Sequence, residues 1–148
     1  MYKVVIAGSR HRGWQEGVPH NLQEGSVADR ELVAYLLQRL REEHGDQLLI
    51  LSVGCDTGFG RLVRTLADER QLPFAEVGMR INDRVPREQY LLLWLARHAA
   101  LVDLAQEYHI FVVDSRFSHI EDLVTRAEQS GVPFTIYAES DVAQKSIM

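Results

Sequence analysis

Five short apolar runs, each separated from the next by a stretch with helical spacing, constrain this chain most. They cover residues 2–7, 48–53, 73–77, 110–113 and 134–137. The runs are continuous rather than alternating, which marks strands covered on both faces, as in a parallel sheet. Between them, Leu32, Leu36, Leu37 and Leu40 recur at helical spacing, as do Leu62, Val63, Leu66 and Ala67. Strand–helix alternation joined by right-handed crossovers predicts an α/β fold, a three-layer Rossmann-like domain with a mostly parallel five-stranded sheet.

Punctuation sharpens the boundaries. Ser26 with Asp29 forms a capping pair that opens the first helix, and Gly45 ends it. A second helix is expected over 58–71 and a third over 87–107, with Pro86 in its first turn and a break near His98. Ser118 with Glu121 opens the last helix, and Gly131 closes it before Pro133. Residues 9–25 hold Gly13, Gly17, Pro19 and Gly25 and no apolar period, so they form a loop of unusual length. A single domain is expected over 1–138, with 139–148 a flexible tail.

Composition narrows the function classes. A formal charge of −5 and a pI near 5.6 argue against a nucleic-acid partner. Fourteen arginines against two lysines suit planar contact with phosphate, although a GC-rich genome gives the same bias. Cys55 is the only cysteine, so no disulfide forms within the chain. The start has no signal-peptide layout. The most apolar segment, 91–105, is interrupted by Arg97, His98 and Asp103 and is too charged to span a bilayer. A cytoplasmic setting without a membrane partner is expected. The six histidines show no H-x-x-x-H or paired-cysteine spacing, so neither a metal site nor a cofactor is expected.

In such sheets ligands bind beyond the carboxyl ends of the strands, where the strand order reverses. With the order 3-2-1-4-5, three loops converge there: Gly8-Ser9-Arg10, Gly54-Cys55-Asp56-Thr57-Gly58 and Asp114-Ser115-Arg116. The middle loop belongs to LLILSVGCDTGFGR, residues 48–61, a strand, a glycine-punctuated turn and a helix start. Such a turn aims backbone N–H groups at one point, which suits an anion. Turning and capping alone also ask for Gly, Ser, Asp and Thr. Nearby, Arg10, His11 and Arg12 would either close over an anionic ligand or form a solvated cluster. Arg80, Asp83, Arg84 and Arg87 would supply a lid.

These residues look like a family. The opening V-V-I-A-G-S-R resembles the first strand and loop of the SLOG superfamily, which includes the Lonely-guy proteins and DNA-processing protein A. L-S-V-G-C-D-T-G-F-G-R-L-V is similar to that superfamily's S-G-G-x-x-G-x-D-x-x-A turn, and Asp114-Ser115 leading to G-V-P-F-T-I to its last strand–helix–strand unit. The resemblance implies a nucleotide or nucleotide-derived phosphorylated ligand at the C-terminal edge of the sheet. It implies contacts from Gly8, Ser9, Arg10, Gly54, Asp56, Gly58, Gly60 and Ser115, in a sensor or binding protein or a nucleotide N-glycosidase. The G-G-G-x-x-G-x-M run and the Arg–Glu pair of the hydrolases are absent, and Val53 stands where the first glycine of the pair belongs. Relatives in this superfamily often pair through helices. With a helix around Tyr90 that is apolar nearly all round, this points to a possible homodimer.

An alternative owner of the same loop is a cysteine-dependent phosphatase. Cys55 to Arg61 has the spacing C-x5-R, in which a thiolate attacks phosphorus while amides and the arginine hold the oxygens. Leu62 occupies the place of the usual Ser or Thr, Gly54 that of the usual His, and no W-P-D or D-P dipeptide supplies a general acid. The nucleotide reading therefore leads, with loop amides of 54–58 taking the phosphate. Arg10 adds charge, and Ser9, Asp56, Asp114 and Ser115 bond the sugar or base. No catalytic residue is assigned.

Overall fold

A computed structural model describes residues 1–9, 12–52, 58–77, 84, 86, 96, 98–101, 103–113 and 120–139. Five strands form one sheet: β1 (Tyr2–Gly8), β2 (Leu48–Ser52), β3 (Phe74–Glu76), β4 (Glu107–Val112) and β5 (Phe134–Ala138). Their order is β3-β2-β1-β4-β5, and all four pairings are parallel. The expected α/β class and the strand order are therefore those of the molecule. The reversal lies at β1, which is flanked by β2 on one side and β4 on the other.

The continuous apolar runs resolve into two faces once pleated. Val4 and Ile6 point to one side, and Val5 and Ala7 to the other. The first face is covered by α1 (Val27–His44) and α2 (Gly58–Glu69), through Val33, Leu37, Leu40, Leu62 and Val63. Leu101, Ala105 and residues of α3 (Ile120–Ser130) cover the second. Three layers result, with β1 buried on both sides.

Helix ends follow the sequence punctuation. The Ser26 hydroxyl accepts the Asp29 N–H at 3.1 Å, capping α1, and Gly45 closes it by donating to the Arg41 carbonyl. Ser118, the expected cap of α3, lies outside the described residues, as do residues 140–148 of the tail. Residues 98–101 are helical, within the span expected for the third helix. The boundary after it needs correction: 107 belongs to β4, which starts three residues before the expected strand at 110. Glu107 and His109 are polar positions in a strand, and each is satisfied by side-chain partners described below.

Candidate functional site

β1 ends at the reversal of strand order, and its pairing with β4 runs one residue further. The Ser9 N–H donates to the Phe111 carbonyl at 2.8 Å, leaving Ser9 buried at the base of the edge. Gly8 is where α2 docks. A Cβ at Gly8 would collide with the Phe59 ring, so only glycine lets the first turn of α2 lie this close to the end of β1. Gly58 opens α2 with φ +59°, a left-handed conformation that favours glycine. Gly60 lies in the same first turn, partly exposed. The structure thus brings Gly8, Ser9, Gly58 and Gly60 to one end of the sheet. Arg10, Gly54, Cys55, Asp56, Thr57, Asp114 and Ser115 lie outside the described residues, and so do His11 and residues 80, 83 and 87 of the expected lid.

The long loop forms a strap, and its bonds commit several groups the sequence offers to a ligand. Arg12 is neither solvated nor free to close over an anion. Its side chain is 0% exposed, and its Nε and Nη2 each reach an Asp29 carboxylate oxygen at 2.8 Å. Nη1 donates to the carbonyls of Val112 and Tyr137, at 2.6 and 2.7 Å, and the guanidinium carbon lies 5.3 Å from the Phe111 ring centroid. One arginine therefore ties the first turn of α1 to the carboxyl ends of β4 and β5. Bidentate geometry and paired charge are what make such burial tolerable.

Gln23 organises the rest of the strap. Its buried amide accepts the Gln15 N–H and donates to the carbonyls of Gln15 and Val18, all at 2.9 Å. Its own backbone carbonyl accepts the Gly58 N–H at 3.0 Å. That amide, one of the five expected to receive phosphate, is thus engaged within the protein. Arg61 behaves similarly: Nη1 donates to the Asn21 carbonyl at 2.6 Å. The arginine of C-x5-R is thus tied to the strap through one of its nitrogens.

A second polar array lies on the α1 face of β4 and β5, and sequence reasoning missed it. The Tyr2 hydroxyl donates to Glu107 Oε1 at 2.8 Å, and Oε2 lies against His109 Nε2. The other imidazole nitrogen, Nδ1, is 2.7 Å from the Tyr137 hydroxyl. A carboxylate only accepts, so Nε2 carries the hydrogen and Nδ1 of the neutral ring accepts from Tyr137. Burial lowers the His109 pKa, and the opposing pull of Glu107 does not restore it. Glu107 is held below its usual range because hydrogen bonds from His109 and Tyr2 outweigh its burial. The Tyr2 phenol is pushed up to about 12, first by burial and then by Glu107. The signal was present in sequence: Glu107, Tyr108, His109 and Ile110 alternate polar and apolar with a strand's period.

Opposite, on the α3 face, His98 Nδ1 donates to Asp122 Oδ2 at 3.1 Å and Arg126 Nε donates to the same oxygen at 2.8 Å. This ties residues 98–101 to α3. Among the described residues, no group of three or more His, Cys, Asp or Glu is placed to hold a metal ion, and no helix is long and apolar enough to cross a membrane. No protein-family model and no curated protein matches this chain.

Proposed function

We propose that this protein binds a nucleotide or nucleotide-derived phosphorylated ligand at the carboxyl edge of its sheet, beside β1. The observation that carries the reading is the strand order, with β1 central and the chain reversing around it. Open α/β sheets bind ligands in the crevice at such a switch point, which supports the reading. The docking of Phe59 on Gly8 adds support, because it draws the start of α2 to the end of β1. Ser9 and the amides of 54–57 are the groups assigned to the ligand, with Arg10 as its cation. Gly58 and Arg12 serve the strap instead. Binding or sensing is the role, with N-glycosidic cleavage the reaction to test; a homodimer is the assembly proposed.

A thermal-shift screen with nucleoside monophosphates, cyclic nucleotides and ADP-ribose tests this. A ligand at 100 times its Kd adds ~2.7 kcal/mol to stability. At ~2–4 °C per kcal/mol for a domain of this size, the expected rise is roughly 5–10 °C. No shift with any of these compounds removes the reading. Chromatography of the incubated nucleotide then separates binding from base release. Cys55→Ser leaves the shift intact if the nucleotide reading holds, whereas a phosphatase would lose all turnover.

A further inference from the structure

The two edges of the sheet are unlike. β3 is three residues long, follows Pro73, and ends in Glu76, which reaches Arg64 at 3.4 Å. Shortness and charge of this kind keep an edge from pairing with another chain. β5 is five residues long, FTIYA, with neither a charge nor a proline in it. Thr135 and Ile136 are exposed, Ile136 to 45%, and among the described residues no strand pairs with the outer side of β5.

The register decides which groups that edge offers. The Tyr108 N–H donates to the Pro133 carbonyl, and Tyr108 lies opposite Phe134. Main-chain groups in a strand alternate sides, so Pro133, Thr135 and Tyr137 bond towards β4, and Phe134, Ile136 and Ala138 present their N–H and C=O outwards. Side chains alternate between the faces as well. Phe134 packs into the core on the α3 face and Tyr137 into that on the α1 face, so Ile136 and Ala138 share the first face and Thr135 the second.

An open sheet edge accepts an extended strand, and side-chain fit selects which one. Turned about a two-fold axis at Ile136, a second β5 sets Ile136 opposite Ile136, Phe134 opposite Ala138 and Thr135 opposite Tyr137. Each outward residue then exchanges an N–H and a C=O with its opposite. A large side chain falls beside a small one, and an aromatic beside a β-branched one, the latter a pair that stabilises antiparallel strands. No charge meets a like charge along this strand, whereas a net charge of −5 opposes contact between copies in general.

We propose that β5 is the surface through which two copies of this chain associate, antiparallel and centred on Ile136, joining two sheets into one. This deepens the homodimer put forward above by naming its contact, and it does not depend on the ligand. Five residues at ~3.3 Å each give a shared edge of roughly 17 Å. A single strand pair of that length buries less than the ~1,200 Å² of a standard interface, so the dimer is weak and concentration-dependent.

Sedimentation of the full chain from about 10 μM to 1 mM tests this, above the micromolar range of standard-sized interfaces. The mean mass of the wild type should climb from 16.9 kDa towards twice that value. Ile136→Lys sets two like charges opposite each other and should hold the chain at monomer mass. Its Tm should stay that of the wild type, because the side chain is half-exposed in the single copy. Opposite residues in a hydrogen-bonded antiparallel pair have Cα atoms ~5.5 Å apart, within disulfide reach. In a Cys55→Ser background, Ile136→Cys should therefore cross-link two copies under mild oxidation well ahead of Thr135→Cys, whose Cα atoms would lie ~8 Å apart. A wild type that stays monomeric overturns the contact and the homodimer together, and leaves the edge to a strand of different sequence. Association unchanged in Ile136→Lys, or equal cross-linking at 135 and 136, overturns the β5 contact alone and leaves a dimer through another face standing. Should Ile136→Lys not fold, the cysteine comparison decides.

Discussion

Replacing Arg12 by Met removes the guanidinium that joins the strap, α1 and the ends of two strands, while keeping most of the apolar stem. The partner left behind is Asp29, whose side chain is 1% exposed and would face the interior without a counter-charge. Removing one member of a buried pair costs about 3–5 kcal/mol, because the remaining charge is uncompensated. The carbonyls of Val112 and Tyr137 also lose a donor, and an unpaired buried acceptor adds ~1 kcal/mol or more where water cannot reach it. These losses share one neighbourhood and do not simply add. We take about 4 kcal/mol as the expected total, which is a fall in Tm on the order of 10 °C for a domain of this size.

Urea denaturation of the wild type, Arg12→Met, Asp29→Leu and the double variant measures this as a cycle. Each single variant should lose stability by a similar amount. The double variant should lose clearly less than the sum, since neither charge is then left alone. A single-variant loss below about 1 kcal/mol refutes the reasoning, because that is what a solvated surface pair is worth. Strict additivity in the double variant refutes it as well, whatever the size of the single effects.

Two further outcomes follow from packing and charge elsewhere. Gly8→Ala forces the Phe59 ring away from β1 and should cost ~1–3 kcal/mol, with partial recovery in Gly8→Ala/Phe59→Leu; a neutral Gly8→Ala would mean that α2 does not dock as described. On the other face, Asp122 is buried in part, but hydrogen bonds from Arg126 and His98 outweigh that and hold its pKa below the usual 3.8. Its contribution is present above 3.8 and lost as pH falls through the lowered value, so Asp122→Asn should destabilise at pH 7 and the gap to the wild type should shrink as pH falls below 3.8. A gap that stays constant as pH falls below 3.8 would show that the loss is one of shape rather than charge.

The sheet was legible because β1 and β2 are continuous apolar runs buried on both faces, whereas the edge strands β3 and β5 are partly exposed and not covered on both sides as expected. The strand order 3-2-1-4-5 was a supposition carried by the doubly wound pattern, and the strands form it. What hid from the sequence was pairing over long separations. Arg12 and Asp29 are 17 residues apart, and Tyr137 lies 125 residues beyond Arg12, so no local pattern announces that they meet. Glu107 and His109 were hidden for a related reason. Glu107 reads as the end of the third helix and His109 as a connection until their partners, Tyr2 and Tyr137, are known.

The same pairings redistribute the charge available to a ligand. By sequence, Arg10, Arg12 and Arg61 all lie near the expected anion site, and three guanidinium groups would suit a highly charged phosphate. Arg12 is consumed by Asp29 and two strand-end carbonyls, and Arg61 already donates to the Asn21 carbonyl. Among the described residues, these two arginines are committed to the fold, Arg12 fully and Arg61 through one nitrogen. That commitment separates two arginines that the sequence presents as equals. Under the proposed reading, losing Arg10 should weaken a phosphorylated ligand, whereas losing Arg12 should cost the fold first and the ligand only in consequence.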